Sequence, residues 1–127
     1  MLRVLLVGLG GFVGSILRYL LSGLAQTLFG AARFPVGTVL VNLTGCYAIG
    51  LLSQLTESQG VFRDLTRSFL FVGILGGFTT FSTLSSESLN LFRTGDSVLG
   101  IVNVAVQVVG GLVLAWLGRI TGHLLWR

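Results

Sequence analysis

Hydrophobic residues make up 53% of the 127-residue chain and charged ones only 9%, at a mean hydropathy of +0.93, which points to a membrane protein. The net charge of +4 comes from eight arginines and no lysine, scattered near segment ends, so it fits membrane orientation and excludes nucleic-acid binding by a basic run with interleaved aromatics. The single cysteine, Cys46, lies in an apolar segment, which excludes a disulfide framework or a cysteine metal site within one chain.

Four apolar segments can each span a bilayer core of ~30 Å, which takes ~20 helical residues. They run from about Leu2 to Leu24, Val36 to Leu55, Ser68 to Phe92, and Val98 to Leu117 or on to Gly122. The connections are short, and the one from Glu57 to Arg67 carries mixed charge expected to be solvated. The expectation is an all-α membrane protein, one four-helix transmembrane domain over residues 1–127. A signal peptide is the competing reading of the first segment, with Arg3 ahead of an apolar stretch and small residues at Gly23 and Ala25. Arg18 inside that stretch, and its length, speak against it.

The first segment holds Gly8-Leu9-Gly10-Gly11-Phe12-Val13-Gly14, whose spacing fails a dinucleotide fingerprint because Val13 takes the third glycine position. A Walker loop needs a lysine. Gly10 and Gly14 instead lie one turn apart on one helix face, as close packing requires. Arg18 continues that face, either snorkelling to headgroups or in a structural or vestibule position.

The second segment opens at Pro35, which suits a first helical turn. Asn42 then falls in an apolar run, with Gly45 and Gly50 beyond. An asparagine at this depth either bonds another helix or donates its amide to a passing solute. The polar track of the third segment favours the second role.

In that track, seven of the nine residues from Thr79 to Glu87 are polar. Hydroxyls without partners are costly in hydrocarbon, and unwound backbone survives there only inside protein or along a wet cavity. Gly76-Gly77 just before it give the backbone room to leave helical geometry. The third helix is therefore expected to be broken and to line a polar path. The echo of Gly10-Gly11-Phe12 in Gly76-Gly77-Phe78 reads as coincidence, since odd-numbered helices share an orientation and cannot form an inverted repeat. Glu87 is expected near the membrane face, paired with a helix end or an arginine.

In the fourth segment Asn103 and Gln107 are one turn apart. Asn103 is expected near the interface with little role, and Gln107 deeper, where it could face the polar path. Trp116 and Trp126 suit interface anchors. His123 lies outside the hydrocarbon, with no second histidine to make a metal site.

Several chemistries can be weighed against this lining. None of the four acids, Glu57, Asp64, Glu87 and Asp96, sits at mid-membrane depth, which disfavours a small multidrug-type exporter. No histidine or cysteine base accompanies the hydroxyls, which disfavours an enzyme. A structural subunit whose glycines serve only packing stays open. Hydroxyls, carboxamides and the positive ring edge of Phe81 suit a small, hard anion.

Gly10-Gly11-x-x-Gly14-x-x-x-Arg18-Tyr19, Pro35-x-Gly37-Thr38-x-x-Val41-Asn42-x-x-Gly45 and Gly76-Gly77-Phe78-Thr79-Thr80-Phe81-Ser82-Thr83 together resemble the Fluc/CrcB family of fluoride channels, across essentially the whole chain. The resemblance implies a passive fluoride channel in the plasma membrane of a prokaryote, lowering cytoplasmic fluoride. It also implies a homodimer of antiparallel subunits, each inserted in the opposite sense, with two pores. By position, Asn42 matches the pore asparagine, Phe81 the first pore phenylalanine, and Ser82 and Thr83 the lining hydroxyls. Gly76 and Thr79 match residues whose backbone carbonyls, from both subunits, hold a structural sodium ion. Leu84 stands where the family has a second pore phenylalanine, and Gly111 where some members have serine. Gln107 completes the expected pore lining.

Charge agrees with insertion in both senses. The terminal side carries Arg3, Arg63, Arg67, Arg119 and Arg127, and the other side Arg18, Arg33 and Arg93, a weak bias for the positive-inside rule.

Overall fold

The computed structural model describes residues 1–30, 33–59 and 64–125. Among them, four helical spans are long and apolar enough to cross a membrane. Helix α1 is Leu2–Phe29 and α2 is Val36–Gln59. The third span, Asp64–Arg93, comes in two halves, α3 (64–78) and α4 (Phe81–Arg93). Helix α5 is Ser97–Leu125.

The helices outrun the apolar segments at their ends. A helix pairs its own backbone groups, so it continues through Ala25-Gln26-Thr27, where Ala25 packs at 1% exposure. The expected solvated loop from Glu57 to Arg67 shrinks for the same reason: α2 continues to Gln59, and Asp64–Arg67 is already helical.

The packing is inverted relative to a soluble protein. Thr38, Asn42, Thr80, Ser88, Asn103 and Gln107 are buried, whereas Leu9 and Leu112 are 60% and 71% exposed. Lipid tails are as apolar as leucine, so burying leucine gains little there, and small and polar residues share the interior with Val41, Leu75, Phe78, Leu84 and Leu91. Trp116 is exposed on α5, as an interface anchor would be; Trp126 lies outside the described residues. Arg18 is half-buried on α1.

Glycines set the close contacts. A methyl on Gly10 would lie 2.8 Å from the Cα of Gly73, and one on Gly77 would lie 2.7 Å from the Gly11 carbonyl oxygen. Gly10 and Gly11 of α1 thus pack on Gly73 and Gly77 of α3. On the other side of the bundle, Gly50 and Gly118 let α2 and α5 approach to backbone contact with Ala115 and Tyr47.

Residues Ser68–Leu75 of α3 are wound as a π-helix, and the Gly76 N–H donates back to the carbonyls of Phe71 and Gly73. Gly76–Phe78 resumes α-helical geometry, with Gly76 at φ −64° and ψ −37°. The break follows at Thr79 and Thr80, both extended, at φ −83°, ψ 157° and φ −151°, ψ 111°. The expectation that Gly76-Gly77 unwind is therefore corrected. Both glycines are helical, and Gly77 packs on Gly11 of α1, while the chain leaves the helix at two threonines, Thr80 being held by the Asn42 side chain.

Three of the four acids are tied to arginines at span ends. Arg3 Nη2 donates to Asp64 at 3.0 Å, Arg33 Nη1 to Asp96 at 3.4 Å, and Arg119 makes a two-pronged pair with Glu57. Exposed pairs of this kind contribute about 0–1 kcal/mol in water, so they register the helix ends more than they hold the fold. Arg63 and Arg127 of the charge tally lie outside the described residues.

Candidate pore at the broken third helix

The site is built around Thr80. An extended residue inside a span leaves its N–H and C=O without helical partners. Asn42 on α2 supplies both: the Thr80 N–H donates to Asn42 Oδ1 at 2.8 Å, and Asn42 Nδ2 donates to the Thr80 carbonyl at 3.0 Å. The side-chain amide stands in for a peptide group. Gly45, one turn along α2, makes room, since a methyl there would overlap Thr79 Cγ2.

The Thr80 hydroxyl then starts α4. It accepts the Thr83 N–H at 3.2 Å as an N-cap and lies 2.9 Å from Thr83 Oγ1 and 3.2 Å from Ser82 Oγ. The break thus brings the negative end of α3 to the positive end of α4, the arrangement discontinuous helices use for ions of either sign.

The amide network continues inward. Asn42 Nδ2 also donates to Gln107 Oε1 at 2.6 Å, Gln107 Nε2 donates to Asn103 Oδ1 at 2.8 Å, and Asn103 Nδ2 donates to Ser88 Oγ at 2.9 Å. The Asn42 amide therefore has both hydrogens engaged within the chain. That is the helix-bonding role, which the sequence reading had ranked second. Asn103, expected near the interface with little role, is 0% exposed and bonded on both sides of its amide. Its spacing of four from Gln107 was the available signal, because that spacing stacks two amides on one face.

A groove of about 330 Å³ opens at the break, lined by Asn42, Gly76, Thr79, Thr80, Phe81, Leu84 and Gln107 among others. Phe81 is 76% exposed and Leu84 only 6%, though three residues apart. Ser82 and Thr83 are not in this lining; their hydroxyls gather at Thr80 Oγ1.

A second cavity of about 520 Å³ sits toward the opposite membrane face from the termini, lined by Ser22, Gln26, Arg33, Thr38 and Glu87 among others. Thr38 Oγ1 donates to Glu87 Oε1 at 2.6 Å, and Glu87 Oε2 is buried without a partner among the described residues. Glu87 thus meets a helix end, through Thr38 in the first turn of α2, and not an arginine. Forty-nine residues separate the two, so nothing local in the sequence announces the contact.

The break also fits a hard cation. In an unbroken helix the Gly76 and Thr79 carbonyls would accept from the N–H groups of Thr80 and Thr83. Those donors are engaged by Asn42 Oδ1 and Thr80 Oγ1 instead. Two carbonyl oxygens are thereby released from the ladder, and oxygen is what a hard cation takes. No group of three or more His, Cys, Asp or Glu side chains that could hold a metal ion occurs among the described residues.

Residues 5–119 match the family described as CrcB-like protein, Camphor Resistance (CrcB). The chain belongs to the CrcB family. It is 41% identical over 121 residues to a protein of Methanosarcina acetivorans named fluoride-specific ion channel FluC 1, covering 95% of this chain and 91% of that relative. A protein of Ruminiclostridium cellulolyticum, named fluoride-specific ion channel FluC, is 44% identical over 119 residues, covering 94% and 91%. One of Clostridium novyi with the same name is 35% identical over 126 residues, covering 99% and 98%. Within this CrcB chain, the three stretches that carry the resemblance converge on the break: the α1 glycines pack α3, Asn42 holds Thr80, and Thr79–Thr83 form the turn into α4. Thr80 and Ser88 are the polar residues at this centre to which sequence reasoning gave no role of their own, and Asn103 the one to which it gave little.

Proposed function

We propose that the chain is a passive, fluoride-selective ion channel that lowers cytoplasmic fluoride from the plasma membrane of a prokaryote. One observation supports this above the rest: the break that Asn42 holds at Thr80 lies within residues 5–119, which match the CrcB family, and similar proteins over nearly the whole chain are named fluoride-specific ion channels. Fluoride is a strongly hydrated anion, so a pore must return hydrogen bonds for those it strips without binding too tightly to release. Asn42, Phe81 and Gln107 are the proposed lining at the groove, with Leu84 contributing hydrocarbon beside them, and Ser82 and Thr83, outside the groove, are proposed to line the path where it continues along α4. With both Asn42 hydrogens engaged inside the chain, the second Gln107 N–H, the hydroxyls, the ring edge and the start of α4 present positive potential without fixed charge.

The working unit is proposed to be a homodimer of antiparallel subunits. The groove at the break is open on the outside of the single chain, and Phe81 projects there at 76% exposure. A two-fold axis at the break would bring the Gly76 and Thr79 carbonyls of both subunits around one structural sodium ion, whose charge would tie the two breaks together. A terminal tag should be labelled from both membrane faces; labelling from one face alone would contradict this topology.

Glu87 favours a second reading. It is the one acid among the described residues that no arginine pairs, and its buried Oε2 is the kind of group a proton-coupled exporter uses. Purified protein in fluoride-loaded liposomes separates the two. A fluoride electrode should record efflux with no proton gradient imposed, and efflux that requires such a gradient would transfer the function to the exporter class.

A further inference from the structure

We propose that Ser88 and Asn103 are positioning residues for conduction: they touch neither ion nor groove, and they set the orientation of the amides that hold the break. Neither residue lines the groove at the break, whereas Asn42 and Gln107 both do. The hydrogen bonds run in one sense, from Asn42 to Gln107 to Asn103 to Ser88, each amide nitrogen donating to the next oxygen. Reversing any one amide would set oxygen against oxygen or N–H₂ against N–H₂ at its neighbours. Exposures of 9%, 6%, 0% and 4% along the chain leave no bulk water to repair a mismatch.

The relay closes on itself through the fold. Ser88 and the cap residue Thr80 belong to the same half-span, α4 with its N-cap. From Ser88 the bonds pass to α5, from α5 to Asn42 on α2, and from Asn42 back to Thr80. Asn42 can accept the Thr80 N–H only with its oxygen toward Thr80, and Gln107 Oε1 holds its nitrogen on the other side. Gln107 in turn presents that oxygen because Asn103 Oδ1 takes its nitrogen, and Ser88 Oγ gives the Asn103 nitrogen the buried acceptor it would otherwise lack. A neutral relay without an ionisable side chain therefore decides whether Thr80 stays extended, and with it the shape of the groove that an anion meets.

The inference rests on the channel reading, and one experiment keeps the two apart. Full-length parent, Ser88→Ala, Asn103→Leu and the double variant are reconstituted at equal, low density, and fluoride and chloride efflux are read from the same liposomes. Asn103→Leu is expected to slow fluoride about tenfold, the rate equivalent of one neutral hydrogen bond, and to raise chloride relative to fluoride by a similar factor. Ser88→Ala should shift both in the same direction by about threefold, and the double variant should match Asn103→Leu alone, because one relay can be broken only once. A role confined to stability would lower the yield of folded protein without changing the chloride-to-fluoride ratio. If Asn103→Leu does not fold, the ratio in Ser88→Ala decides. An unchanged ratio in a folded variant, or effects that multiply in the double, overturns the relay while leaving the channel intact. A silent parent overturns the channel reading and the relay's role with it.

Discussion

Asn42→Leu is expected to lower fluoride efflux by more than about a hundredfold, equivalent to ~2.7 kcal/mol at the barrier, and to lower the thermal stability of the purified protein as well. Leucine fills nearly the same volume but has no polar atoms. It would orphan the Thr80 N–H, the Thr80 carbonyl and Gln107 Oε1 together. Each buried group left without a partner costs about 1–3 kcal/mol, a large part of the ~5–15 kcal/mol by which a protein of ordinary stability stays folded. Relief would come from closing the break into continuous helix, returning the Gly76 and Thr79 carbonyls to the ladder, or from admitting water. Either removes the groove in its present form. Asn42→Asp sharpens the test, since it keeps an oxygen for the Thr80 N–H but sets its second oxygen against the Thr80 carbonyl and Gln107 Oε1. Its flux should also collapse unless the carboxyl is protonated. Liposome efflux beside a melting curve in detergent measures both effects, and an Asn42→Leu variant that conducts like the parent would remove the break from the mechanism.

Phe81→Leu is expected to abolish flux nearly as fully while leaving the fold alone. With the ring 76% exposed on the single chain, truncation opens no cavity, and stability should move by no more than about 0.5 kcal/mol. What is lost is the positive ring edge at the mouth of the groove, where leucine offers only hydrocarbon. Leu84 lines the same groove three residues on, so Leu84→Phe should restore a second edge, with the groove of about 330 Å³ taking the extra volume. That variant is expected to conduct at least as fast as the parent. Efflux and size-exclusion chromatography on both proteins check this pair, and full flux in Phe81→Leu would mean that the anion path lies elsewhere.

The spans and the general place of the break were legible because hydropathy and a run of hydroxyls are local properties of the chain. The agent of the break was not. Gly76-Gly77 looked like the unwinding point on conformational freedom alone, yet both stay helical, with Gly77 packed on Gly11 of α1. The chain opens two residues later, where the Asn42 amide can replace a peptide partner. That replacement joins positions 38 apart, and the contact of Thr38 with Glu87 joins positions 49 apart. Such pairings follow from helix packing, which one sequence does not reveal. The bonding of Asn103 escaped for a related reason: distance to the segment end bears on depth along the helix, while its burial and its bond to Ser88 come from packing against the neighbouring half-span.

The central claim is that a break held by neutral donors passes fluoride passively. Reversal potentials in planar bilayers test it most directly, with fluoride, chloride and proton gradients imposed one at a time on the reconstituted parent protein. The account predicts a reversal potential that follows the fluoride gradient and ignores the other two. A potential that follows the proton gradient, or that responds equally to chloride, would contradict it.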